Sequence, residues 1–145
     1  MAAGDFVVFD EAKATLLKGG WEPADDIKCA ILDNTTTPAA ADTTPALGDY
    51  TEVGTAGTYV AGGTSLDTLG DCVSEAAGTM TFDSATNPSW AQDALSDADA
   101  YWALVYNDTD ASDLAIGFLD LGGPVDMSGG DLSVTWNASG LFTIA

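Results

Sequence analysis

Tyr101-Trp102-Ala103-Leu104-Val105-Tyr106, the turn Asn107-Asp108-Thr109-Asp110-Ala111-Ser112-Asp113, and Leu114-Ala115-Ile116-Gly117-Phe118-Leu119-Asp120-Leu121 together decide how this chain folds. The two flanking runs are apolar on both faces, the pattern of strands inside a packed sheet. Further on, Leu132, Val134 and Trp136 alternate with Ser133, Thr135 and Asn137, as in a half-buried strand with one wet side. Leu141-Phe142-Thr143-Ile144 supplies a fourth run. Four strands joined by Asp, Gly and Asn turns predict an antiparallel sheet, with the earlier segments packed onto it.

Upstream, Phe6 to Lys18 reads as a helix. Phe6, Phe9, Ala12/Lys13, Leu16 and Leu17 recur at helical spacing, and Gly19-Gly20 stops it. Its narrow apolar stripe suits one face of the domain or a neighbouring subunit. Asp26 to Leu32 reads as the first strand, with Ile27, Cys29 and Ile31 on one face. From Asp33 to Gly48 the composition turns to Thr, Ala, Pro, Asp and Asn, and Pro38 and Pro45 remove ladder donors. This predicts a long surface loop, and loops of that length commonly carry function or reach a partner. Short strands are expected around Tyr59-Val60 (bent at Gly62-Gly63), within Leu66 to Glu75, at Thr79 to Phe82 and at Pro88 to Ala91. Asp93 to Asp99 is read as an acidic connection. The expected fold is mainly β: an antiparallel β-sandwich or jelly-roll-like single domain with one N-terminal helix. Residues 1–20 form a helical arm in this reading, and residues 21–145 the β-domain.

The 145 residues suffice for one core. Three lysines, no arginine and no histidine face 23 acids, for a formal charge of -20. Such a chain has little with which to displace phosphate counterions, which argues against nucleic acid and against anionic membrane surfaces as partners. Dense acidity keeps a protein soluble and also suits saline surroundings. No basic segment followed by an apolar stretch and a cleavage site is seen, so synthesis in a cytoplasm is expected. Cys29 and Cys72 read first as small buried hydrophobes, with a disulfide as the alternative.

Catalytic constellations are weak. Without histidine, Ser-His-Asp and Cys-His arrangements cannot form. Glu11, Glu22, Glu52 and Glu75 are of the type glycoside hydrolysis uses, yet short strands leave little room for the cleft it needs. Asp93, Asp97 and Asp99, and Asn107, Asp108, Asp110 and Asp113, are oxygen-rich enough to raise Ca²⁺. They lack the spacing of a calcium loop and read as solvated turns, so no cofactor is expected. Among the aromatics that could form a sugar platform, Trp102 and Trp136 read as core. Tyr50 and Tyr59 flank loops and are the better interface candidates. The expected partner-contact residues are Phe6, Phe9 and Leu16 on the helix, Thr36, Pro38 and Pro45 in the loop, and Tyr50 and Tyr59.

Phe9-Asp10-Glu11-Ala12-Lys13, Asp26-Ile27-Lys28-Cys29-Ala30-Ile31-Leu32, the Thr/Pro/Ala/Asp loop and Tyr59-Val60-Ala61-Gly62-Gly63 occur in that order. Tyr106-Asn107-Asp108-Thr109, Ile116-Gly117-Phe118-Leu119-Asp120-Leu121-Gly122-Gly123 and Thr135-Trp136-Asn137-Ala138-Ser139-Gly140-Leu141-Phe142 complete the series. This order resembles small virion structural proteins of tailed bacteriophages, including those of cyanobacterial and marine phages. The resemblance implies a non-enzymatic protein on the outer surface of the head: a capsid decoration (cement) protein that stabilises the shell. Its partners would be the major capsid protein and copies of itself, often as a trimer. The alternative is a tail, neck or head-fibre component that binds a host surface glycan.

Overall fold

The computed structural model describes residues 4–144. The first three residues of the expected arm, and Ala145, lie outside the described residues. Strands β1 (Val7–Val8), β2 (Asp26–Leu32), β3 (Thr64–Thr68), β7 (Ala100–Asn107) and β8 (Ala115–Val125) form a five-stranded antiparallel sheet in the order β1-β8-β7-β2-β3. Strands β4 (Val73–Ala76), β5 (Thr79–Phe82) and β10 (Phe142–Ile144) form a second, in the order β10-β5-β4. Strands β6 (Ser89–Trp90) and β9 (Leu132–Ser133) pair as a ribbon. The mainly β, antiparallel character with one N-terminal helix is as the sequence predicts, and the layering is that of a β-sandwich.

The two apolar runs behave as their composition dictates. Residues 103–107 of β7 and 115–119 of β8 are all buried, so both faces of this hairpin are covered. The alternation in 132–137 also holds: Leu132, Val134 and Trp136 are buried, while Thr135 and Asn137 are exposed. The expected four-stranded sheet of the last third does not form. Only β7 and β8 pair with each other; β9 joins β6 and β10 joins β5. Strand β2, some seventy residues away in sequence, takes the place beside β7, with Cys29 opposite Val105 and Ile31 opposite Ala103.

Residues 7–12 of the expected arm pack into the domain. Helix α1 spans Asp10–Lys18, shorter than the expected Phe6 to Lys18, because Val7 and Val8 pair with β8 opposite Phe118 and Gly117. Phe9 and Ala12 are fully buried. Burial of one aromatic is worth about 1.5–3 kcal/mol, enough to hold this segment in the sheet against its own helical periodicity. Gly19, in the left-handed conformation at φ 67°, closes the helix as expected, its N–H bonding Leu16 O. The strand expected around Tyr59-Val60 is absent, and β3 begins only at Thr64. A single-turn helix α2 (Leu69–Cys72) interrupts the 66–75 stretch, capped by Thr68 Oγ1 accepting from Asp71 N.

Three aromatic runs join the layers. Trp136 meets Phe6 edge-on at 6.3 Å, and Phe6, Phe142 and Phe82 stack in sequence at 6.3 and 5.0 Å, tying the β1 edge to the second sheet. Tyr50, Phe9, Phe118 and Trp102 form another on the other side. Tyr59 meets Trp90 at 5.9 Å and anchors the 53–63 segment to the ribbon. Gly63 is where that segment must pass close to β2. It sits at φ 72°, and a Cβ there would lie 1.9 Å from Cys29 O. The substitution Gly63→Ala is therefore expected to destabilise the domain by at least about 3 kcal/mol, combining left-handed strain with a backbone clash. Gly78→Ala, at φ 82° with open space around it, should cost only about 1 kcal/mol. Urea unfolding of the two variants measures the difference; equal losses would show that the β2 contact is not tight.

Candidate functional site

Two surfaces carry features that packing alone does not require. The first is the loop after β2. It is irregular from residue 33 to 46 and ends in a 3₁₀ turn at Leu47–Asp49, yet it is held along its length. Asp33 N donates to Thr51 O at 2.9 Å, and the Asp33 carboxylate accepts from Thr35 N and Oγ1. Asp42 Oδ2 accepts from Ala39 N and Tyr50 Oη, both at 2.9 Å. Ala115 N donates to Pro45 O at 2.7 Å and Leu47 N to Asp113 O at 3.1 Å, stitching the loop to the β7–β8 turn.

The loop also completes the helix. Phe9 at the N-cap offers no capping side chain. Asp10 N instead donates to Ala40 O at 2.9 Å, and the Glu11 carboxylate accepts from Thr44 N. Helix and loop are thus one body, where the sequence treats them as separate contacts. Between the loop and the β7–β8 turn lies a shallow groove of about 640 Å³, lined by the threonines 36, 37, 43 and 44 with Asp42, Asp49, Tyr50 and Ser112 among others.

Placement of the expected contact residues follows from this. Thr36 is exposed at the loop tip. Phe6 and Leu16 are half-buried. Phe9, Pro38, Pro45, Tyr50 and Tyr59 are buried in the domain, Phe9 fully, while Pro45 and Tyr50 reach the wall of the groove with little exposed area. Tyr59 in particular is a structural post: its Oη accepts from Ile31 N at 3.2 Å and donates to the Glu52 carboxylate, which also accepts from Gly62 N at 2.7 Å. A sugar platform built on Tyr50 and Tyr59 is therefore not formed. Thr43, Thr44 and Ser112 escaped the sequence reading, since nothing local distinguishes a threonine lining a groove from one in a turn.

The second surface is apolar. It lies where α1 crosses the second sheet, and two adjoining hollows there are lined by Val8, Leu16, Leu17, Met80, Phe142 and Ile144 among others. Leu17 is 78% exposed.

The oxygen-rich turn between β7 and β8 is built for folding. Asn107 is fully buried; its Oδ1 accepts from Thr109 N and Asp110 N, and its Nδ2 donates to Asp25 at 2.7 Å. Asp108 pairs with Lys28 at 2.7 Å and holds the lysine's pKa above its ordinary value. Desolvation and the neighbouring Asp108 push Asp113 up. Among the described residues, no group of three or more His, Cys, Asp or Glu side chains is placed to hold a metal ion. Both cysteines are free and buried, and burial pushes the Cys72 thiol up to about 12 and that of Cys29 higher still.

No protein-family model matches the chain, and no curated protein or solved structure shows significant similarity to it.

Two predictions follow from the buried polar groups. Tyr59→Phe removes the partner of a buried N–H and of a carboxylate and should cost about 1–3 kcal/mol in urea unfolding; an unchanged midpoint would mean the network is not formed. The second concerns alkali. Folding raises the pKa of Cys29 and Cys72, mainly through desolvation, and of Tyr59, through desolvation and then its bond to Glu52. It raises that of Lys28 through its bond to Asp108. Stability from a raised group is complete below its unfolded value and is lost as pH climbs towards the folded one. The unfolding midpoint should therefore fall above about pH 8.5, where unfolded cysteines titrate, and more steeply above about pH 10, where tyrosine and lysine join them. A midpoint flat to pH 10.5, a value of about the unfolded lysine pKa, would contradict the burial of these groups.

Proposed function

We propose that this chain is a non-enzymatic structural protein of a tailed-phage particle, a decoration protein that binds the outer surface of the head and stabilises the shell. The observation that carries the reading is the loop of residues 33–46: long, threonine-rich and exposed at Thr36, yet fixed by main-chain and side-chain bonds to the helix, to the 3₁₀ turn, to Tyr50 and to the β7–β8 turn. A preorganised loop loses little entropy on docking, which suits attachment at many equivalent positions. The hydroxyls at its tip can pair with main-chain groups of the major capsid protein without requiring opposite charge. The formal charge of -20 keeps such a protein soluble before assembly and disfavours contact with packaged DNA. The resemblance in residue order to small virion proteins of tailed phages points the same way.

The runner-up, a tail, neck or head-fibre component binding a host glycan, draws on the hydroxyl- and carboxylate-lined groove beside Tyr50. It is the weaker reading because Tyr50 and Tyr59 offer no exposed ring for a sugar to stack on.

Immunogold labelling of particles from the source lysate tests the assignment. Dense label over heads is expected. Label restricted to the tail or neck would favour the fibre reading, and unlabelled particles would remove the virion assignment altogether. On isolated heads, the double variant Thr36→Glu and Thr43→Glu should lower occupancy at least about tenfold, through like-charge and desolvation effects at the contact, with no change in unfolding midpoint. Undiminished binding would move the attachment site away from the loop.

A further inference from the structure

The apolar surface where α1 crosses the second sheet has a specific charge frame. Helix α1 carries Asp10 and Glu11 in its first turn and Lys18 in its last, with Lys13 between. Two of the chain's three lysines thus lie on this nine-residue helix, while the third, Lys28, is paired with Asp108. Lys13 bonds Asp10 at 2.8 Å and borders the same hollow of about 300 Å³ as Leu17, Val8, Phe142 and Ile144. In a chain of charge -20, a helix with two acids and two lysines lowers the repulsion that two copies meet at this face.

We infer that this face is a self-association surface, on which a second copy of the chain docks about a two-fold axis with the two α1 helices antiparallel. The helix is self-complementary only in that orientation. Antiparallel crossing near Ala14 sets the acidic first turn of each copy against Lys18 of the other and opposes the helix dipoles. Parallel crossing sets like charge on like. Ala14 lets the backbones approach, and the exposed Leu17 of each copy then lies over the Val8 end of the other's hollow. An isologous contact of this kind closes on itself, so the acidic remainder of each domain faces outward. The inference does not rest on the proposed attachment of the loop of residues 33–46 to a shell.

Sedimentation equilibrium of the full chain tests it. A monomer–dimer equilibrium is expected, tightening as salt rises from about 0.05 to 0.5 M because long-range repulsion is screened. Leu17→Glu should weaken dimerisation at least about a hundredfold, by removing two apolar contacts and placing charge in their stead. Since Leu17 is largely exposed, folding should be unaffected, as circular dichroism can verify. Lys18→Glu and Asp10→Lys should each weaken the dimer about fivefold, and the double variant should regain most of the loss, since the exchanged charges again face each other. A monomer at all concentrations, a trimer, or a dimer indifferent to Leu17→Glu would overturn the inference. A monomer that still decorates heads would leave the attachment reading intact; a dimer that binds no particle would leave this one intact.

Discussion

Strand β2 must be paired along both edges, and the rest of the molecule is arranged to allow it. Its side chains from Cys29 to Leu32 are buried on both faces, so water cannot reach its N–H and C=O groups and each must find a partner within the protein. β7 supplies one edge, in unbroken register from Ile27–Asn107 to Leu32–Trp102. The other edge is divided: β3 covers its first half, and Ile31 N must turn to Tyr59 Oη while Val53 N reaches back to Ile31 O. The 53–63 segment is consequently drawn against β2, which is why Gly63 has to pass so close to Cys29 and why Glu52 sits under Tyr59.

The same constraint shapes the surface. Once β2 ends at Leu32, the chain crosses the sheet edge and returns at Glu52, and the loop between is pinned at each place where it passes another element. Its bonds to the first turn of α1 replace the cap that Phe9 cannot supply. A pinned, hydroxyl-rich loop surface results on one side. On the other, α1 leaves Leu17 and the rim of the second sheet uncovered. The domain therefore presents one polar and one apolar surface, each attached to the same helix, in a chain otherwise dominated by repulsive charge.

Where the sequence reading fails, it does so for identifiable reasons. The periodicity of Phe6, Phe9 and Leu16 is real, but pairing of Val7 and Val8 with β8 and burial of Phe9 outweigh the local preference for one more helical turn. Tyr59 lies in a glycine- and threonine-rich stretch and so resembles an exposed loop aromatic, whereas its hydroxyl is the internal partner of β2 and Glu52. Of the eight expected contact residues, Thr36 alone is exposed, and the groove around it is completed by Ser112 from a turn distant in sequence. Neither fact leaves a trace in local composition.

The sequence by itself determines the fold class, the β7–β8 hairpin, the stop of the helix at Gly19, the wet and dry faces of residues 132–137 and the strongly acidic surface. All of these depend on side-chain period, turn chemistry or charge within a few residues. Tertiary structure alone decides that β2 lies between β3 and β7, that β9 and β10 leave the central sheet, and that helix and loop form one body. Those choices depend on which buried edge needs a partner and which aromatic fills which space, quantities set by residues far apart in the chain.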